Sequence, residues 1–268
     1  GQAGPYAARP GYDQIVQGMG GLMSVTGHPD QGPVRAGLAV ADSSSGLYAA
    51  LGIMTALLER EKSGVGQWVH VSLLHAQIAM MDFQVARYLN DGDIPVQVGN
   101  DHPTSSPMGL FSASDGYFNL GASGEGSWVR FAKAVGKEDW LNDPEFKTEK
   151  LRVKHRERLN REIQEIFAPK TVAHWVDLLN EASVPAGPVY SVPQLFDDPQ
   201  VQHLKVVAES PTPQGPTKQY ITQPVHLERT PSAIARSAPD WGEHTDEILK
   251  EIGFDDDAIR SMRASGAV

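Results

Sequence analysis

The stretch "ADSSSGLYAALGIMTALLEREKSGVGQWVHVSLLHAQ", residues 41–77, decides the fold class. Leu47, Leu51, Met54 and Leu58 recur at relative positions 0, 4, 7 and 11, one face of a 3.6-residue period. That spacing predicts a helix from Ser45 to Lys62. Asp42 or Ser43 stands where an N-cap belongs, and Gly64 in "KSG" closes the far end. "QWVHVSLL" (67–74) is β-branched and aromatic and predicts a strand. A second apolar helix follows from about Leu73 to Leu89. Helix, strand and helix in this order predict an α/β layer with buried parallel strands.

Outward from this core the texture changes twice. Residues 1–37 are rich in glycine and turns. They hold one apolar segment, "QIVQGMGGLMSVTG", in which Gly18, Gly20 and Gly21 point to close backbone packing rather than a firm helix. "NDGDIPVQVGNDHPTSSPMG" (90–109) is punctuated by Gly, Pro, Asn and Asp and reads as linker and loop. Beyond it, "GLFSASDGYFNLGA" predicts a hairpin turning at Ser114-Asp115-Gly116. Three amphipathic helices then place Trp128, Phe131, Ala132 and Val135, next Leu159, Ile163 and Ile166, and last Trp175, Leu178 and Leu179 inward. Thr171 caps the last of them. Residues 104–190 thus read as a small α+β domain. "KVVAES" and "QYITQPVHL" predict short strands around a Pro-rich turn. Residues 230–241 read as a linker, and "GEHTDEILKEIG" and "DDDAIRSMRASG" as two closing helices, with Thr245 as a cap and His244 structural.

Composition narrows the chemistry. Lys and Arg number 23 against 33 Asp and Glu, a net charge of −10 over 268 residues. Nucleic acid is therefore disfavoured as a main partner, because binding it depends on neutralising phosphates. There is no cysteine, which excludes disulfides, thiolate catalysis and Cys-based zinc sites. No apolar run reaches the roughly 18–20 residues of a membrane span, and no signal-like segment is present. A cytoplasmic protein without a metal centre is expected. The chain opens on "GQAGPYAARPGYDQ", already turn-rich and without Met, so a preceding portion is expected to be missing.

Asp42 has two compatible readings. By spacing alone it is an N-cap. Alternatively it is a carboxylate nucleophile attacking a thioester carbonyl. A helix N-terminus is a favourable place for an anion and offers backbone N–H groups to developing negative charge.

The segments "GQAGPYAARPGYDQIVQGMGGLMSVTG" and "ADSSSGLYAALGIMTALLEREKSGVGQWVHVSLLHAQ", followed by "GNDHP", "GLFSASDGY", "VPAGPV", "DDPQV" and "GEHTDEIL", resemble the family III CoA-transferases (the CaiB/BaiF type, with formyl-CoA transferase and carnitine CoA-transferase). The similarity runs through essentially the whole chain. It implies an α/β protein. Its Rossmann-like large domain is represented by residues 1–90 and a C-terminal return over 191–268, with the small α+β domain of 104–190 inserted between. It also implies an interlaced homodimer.

The resemblance further implies that Asp42 is the catalytic nucleophile. CoA would pass from an acyl-CoA donor to a small carboxylic acid through aspartyl anhydride and aspartyl-CoA thioester intermediates. No tightly bound cofactor is implied, and coenzyme A enters as part of the substrate. Tyr12 and Asp13 match family positions lining the active site. On pattern alone they are a turn tyrosine and a turn aspartate. Gly99 and Asn100 lie in a segment matching a loop that closes over the intermediate in some members, although the polyglycine run is absent here; an interdomain linker is the other reading. Arg9 is a candidate for a CoA phosphate or a plain exposed arginine. Met19, Met23 and Tyr48 are candidates for shaping the acyl site.

Two alternatives stand beside transfer. The same fold includes α-methylacyl-CoA racemases, which carry His at the position of Tyr12. A tyrosine, with a reference pKa near 10, is a poor second base for racemisation. Glu125 lies near a racemase glutamate, but a solvated loop residue is the simpler reading. The other alternative is a catalytically silent fragment.

Overall fold

The computed structural model describes residues 1–212 and 215–268. They form two compact units, Gly1–Val189 and Tyr190–Val268. No helix among the described residues is long and apolar enough to cross a membrane.

The first unit opens with five helices: α1 (Asp13–Met19), α2 (Leu22–Val25), α3 (Val40–Ser63), α4 (Leu73–Met80) and α5 (Asp82–Asp91). The glycines between α1 and α2 act through proximity and turning. A Cβ on Gly20 would lie 2.5 Å from Cγ of the buried Gln77, so α1 meets α4 at a residue without a side chain. Gly21 then turns with φ 85°. The amide of Gln77 finds no hydrogen-bond partner among the described residues.

Three expectations for this region are corrected. First, α3 begins at Val40, so Asp42 lies inside the first turn, and the cap position falls to Ala39, whose side chain caps nothing. Second, residues 67–72 are not a strand: none of the described strands pairs with them, and Ser72 instead caps α4 by accepting from the His75 N–H. No parallel pair occurs among the described strands. Third, the helix expected over 73–89 is two helices, because Asp82 takes a left-handed conformation (φ 45°), one that Asp tolerates better than most residues.

The predicted stripe on α3 is real, but it is not covered. Leu47, Leu51, Met54 and Leu58 are 56–74% exposed. The residues α3 buries are Ala41 and Ser44, at its N-terminal end.

The second half of this unit matches its sequence closely. β1 (Met108–Ala113) and β2 (Gly116–Gly121) form the expected hairpin, turning at Ser114-Asp115, and β3 (Ala186–Pro188) adds antiparallel to β2. Around this sheet stand α6 (Glu125–Ala134), a short 3-10 turn at Glu138–Leu141, α7 (Glu149–Lys154), α8 (Arg156–Phe167) and α9 (Val172–Glu181). His155 interrupts what reads in sequence as one helix, giving α7 and α8. Thr171 caps α9, as expected, by accepting from the His174 N–H.

The core is strongly aromatic. Trp128 stacks on Trp140 at 5.7 Å, and Phe167 meets the edge of Phe118 at 4.8 Å and also touches Phe111, Phe131 and Trp175. Offset and edge contacts of this kind add to burial. Phe167→Ala is expected to cost about 3–5 kcal/mol in urea unfolding, the usual range for an aromatic cavity. A cost below about 1 kcal/mol would remove Phe167 from the centre of the core.

At the edge of this core Arg158 bridges Asp143, Glu145 and Glu162 at 2.7–2.8 Å. The Glu145 backbone N–H and the Arg158 guanidinium hold the Asp143 carboxyl below the usual carboxylate range.

In the second unit α10 (Val192–Asp197) and α11 (Pro199–Leu204) lead to the antiparallel pair β4 (Val207–Ser210) and β5 (Lys218–Ile221). Asp198 caps α11 ahead of Pro199. The Pro-rich turn expected between the strands includes residues 213–214, outside the described residues. The unit ends with α12 (Thr245–Glu251) and α13 (Asp256–Ser265). His244, not Thr245, occupies the cap position of α12.

Candidate active site

The site is built from the start of α3 and the helix packed against it. Asp42 is the third residue of α3 and is exposed, and its carboxylate makes no hydrogen bond or ion pair among the described residues. It therefore does not spend its oxygens on the cap, although it sits in the first turn, where negative charge is favoured.

The capping is done from elsewhere. Asp13, 28 residues earlier, accepts the Ala41 N–H at 2.9 Å through Oδ1. Its other oxygen accepts from Gln17 Nε2 at 2.7 Å and lies 3.6 Å from the Arg35 guanidinium. The Ala41 carbonyl accepts the hydroxyls of Ser44 (3.2 Å) and Ser45 (2.6 Å). The three serines of "DSSSG" thus divide their work: two tie back onto Ala41, while Ser43 faces solvent.

Asp13 is accordingly tied to the residue that precedes Asp42. Tyr12 occupies the N-cap position of α1 in extended conformation, makes no side-chain cap bond, and is 77% exposed. Arg9 lays its guanidinium 3.8 Å over the Tyr6 ring, and no ion pair or hydrogen bond joins it to Asp13 or Asp42.

Gly99 and Asn100 belong to a second structure. Gly99 donates its N–H to Gly27 O at 2.9 Å and turns with φ 64°, and a Cβ there would lie 2.6 Å from His28 Nδ1. Asn100 lines a cavity of about 290 Å³ with Asp101, His102 and Asn119. No hydrogen bond joins this loop to Asp42 among the described residues. Tyr48 lines another cavity, of about 510 Å³, with His70, Ser72 and His75, whereas Met19 and Met23 do not reach it.

The loop carrying Asn100 is fastened rather than free. Fully buried Arg152 donates to Ser106 O (3.0 Å), to Phe146 O (2.9 Å) and to Glu125 Oε1 (3.1 Å), and its guanidinium lies 4.9 Å from the Trp128 ring centroid. Arg156 donates to the carbonyls of His102 and Ser105, and Asn160 donates to Asp101. Glu125, weighed as a site residue by sequence, is thus a partner of Arg152, and it also accepts the N–H of Glu149. Gln17, Arg35, Arg152, Arg156 and Asn160 escape a reading by motif. The available signals were spacings: Asp13 to Gln17 at i, i+4, and Arg152, Arg156 and Asn160 at successive fours.

Residues 1–245 match the model of CoA-transferase family III. The chain is 37% identical to a succinate–glutarate CoA-transferase of Agrobacterium fabrum, over 94% of this chain and 63% of that protein. It is 33% identical to the human succinyl-CoA:glutarate CoA-transferase, over all of this chain and 61% of that one. It thus spans somewhat over three-fifths of the length of these relatives. A CaiB/BaiF family protein from Brucella suis superimposes with a TM-score of 0.80 at 32% identity, over 94% of this chain and 65% of that one. On the ordered agreement of its sequence with the family model, the chain belongs to CoA-transferase family III.

Proposed function

We propose that the protein containing this chain transfers CoA from an acyl-CoA donor to a carboxylic acid, with Asp42 as nucleophile. The carrying observation is that Asp42 stands exposed and uncommitted in the first turn of α3 while Asp13 performs the capping. The Asp42 carboxylate adds to the donor thioester carbonyl, the C–S bond breaks, and CoA leaves as thiolate. The thiolate attacks the aspartyl carbon of the anhydride and releases the donor acid. The acceptor carboxylate then attacks the aspartyl thioester and expels the thiolate. Attack of the thiolate on the acceptor's acyl carbon gives the new acyl-CoA and restores Asp42. Every step exchanges one acyl bond for another, so no electrons or protons are left over.

Both named relatives carry succinate or succinyl-CoA together with glutarate in their names, which supports dicarboxylic acids as the substrate class. Tyr12, Asp13, Gly99 and Asn100 are proposed to line the site, and Arg9 to meet a CoA phosphate. The proposal includes a homodimer. The uncovered stripe of Leu47, Leu51, Met54 and Leu58 supports it, since apolar surface of this kind marks an interaction face.

A thioester-exchange screen of the full-length protein tests the function, with succinyl-CoA as donor and glutarate among a panel of small acids. New acyl-CoA by mass spectrometry is the expected result. Solvent deuterium at the α-carbon without an acceptor acid would replace transfer by racemisation.

A further inference from the structure

We propose, on the reading of Asp42 as nucleophile, that Gln17 is a positioning residue that fixes the approach to Asp42. Gln17 is fully buried on α1, and its three hydrogen bonds go to the segment before Asp42 and to Asp13. Nε2 donates to Leu38 O at 3.0 Å and to Asp13 Oδ2 at 2.7 Å, and Oε1 accepts the Ala36 N–H at 3.0 Å. Asp13 in turn receives the Ala41 N–H. Two side chains one helical turn apart thus grip the chain at residues 36, 38 and 41, immediately before Asp42.

The same segment is otherwise a surface connection, and such connections normally hydrogen-bond to water. A buried and fully satisfied polar network costs more to build than an apolar contact, and it holds one geometry. Here it holds the peptide that carries the nucleophile into α3, while the nucleophile's carboxylate makes no hydrogen bond or ion pair among the described residues. In displacement chemistry a misplacement of about 1 Å is worth about 100-fold in rate. A rigid bracket behind an unrestrained carboxylate is what such sensitivity requires. Gln17 acts through Asp13 and the backbone and does not touch substrate.

The test is Gln17→Met in the full-length protein, which retains the side chain's bulk and deletes its three hydrogen bonds. Single-turnover formation of the Asp42 adduct with succinyl-CoA is followed by mass spectrometry, alongside steady-state kinetics and melting. The expected result is a fall in adduct rate and kcat of about 10- to 100-fold, with KM for the thioester changed less than about threefold. A contribution to stability alone would lower the melting temperature and leave the rate per folded molecule unchanged, and that result would overturn the inference. Should Gln17→Met fold poorly, Asp13→Asn serves, since its Oδ1 still accepts from Ala41 while one of the two acceptors of Gln17 Nε2 is lost; an unchanged adduct rate in that folded variant would overturn it equally. Absence of an Asp42 adduct in the wild type would overturn the nucleophile assignment itself. A normal wild-type adduct with unaffected variants would sink only the role of Gln17.

Discussion

Asp42→Ala is expected to abolish CoA transfer, with a loss on the order of 10⁴-fold or more, because the route through an acyl-enzyme has no substitute once its nucleophile is gone. Asp42→Asn is expected to fail almost as completely, since the amide matches the carboxylate in shape but is not a nucleophile. Neither change should disturb the fold. Asp42 is exposed and unbonded, so the cost is limited to its interaction with the N-terminal end of α3, about 0.3–1 kcal/mol. Intact-mass measurement after incubation with acyl-CoA checks the same point without turnover: the wild type gains an adduct that peptide mapping places on Asp42, and both variants gain none. Full activity of Asp42→Ala would end the proposal.

Arg152→Met is expected to be the costliest change at a charged residue of the first unit. The arginine is fully buried, and its three donors satisfy two backbone carbonyls and Glu125. Methionine fills much of the space but leaves the Ser106 and Phe146 carbonyls without that donor and removes the cation from the face of Trp128. Together these losses amount to roughly 3 kcal/mol, or a fall of about 6–12 °C in melting temperature for a unit of this size. Arg152→Lys should recover little, because one ammonium cannot reproduce a planar fork aimed at three acceptors. Glu125→Gln provides the contrast: its side chain is 62% exposed, so the ion pair itself should be worth under about 1 kcal/mol. A loss in Glu125→Gln as large as in Arg152→Met would shift the weight from the buried carbonyls to the ion pair.

The sequence is most legible where local patterns and burial agree. The hairpin at Ser114-Asp115, the inward faces around Trp128 and Leu159, and the Thr171 cap all follow from short-range rules, and each is in place. Asp42 as a candidate was legible from the run it heads, but its helical position was not. Nothing local reveals that a carboxylate 28 residues away takes over capping, so the nearest Asp looked like the cap. The strand expected at 67–74 failed for a related reason. Val69 and Val71 give β propensity, but a strand also needs a partner, and propensity says nothing about partners. Arg152 and Gln17 were missed because a charged or amide side chain reads as surface until the fold encloses it.

The cap that Asp13 provides for Ala41 reaches across space rather than along the chain. The register of Asp42 is therefore set by how α1 packs on α3, and hardly at all by the number of residues between them. Doubling an intervening loop costs only about 0.6 kcal/mol in closure entropy. Insertions and deletions among the exposed residues 29–31, which lie between the gripping side chains and the gripped segment, should thus be tolerated during divergence. A single extra residue between Ala36 and Asp42 would put the carboxylate out of step with its bracket. Length variation among homologous sequences should accordingly crowd into the first interval and avoid the second.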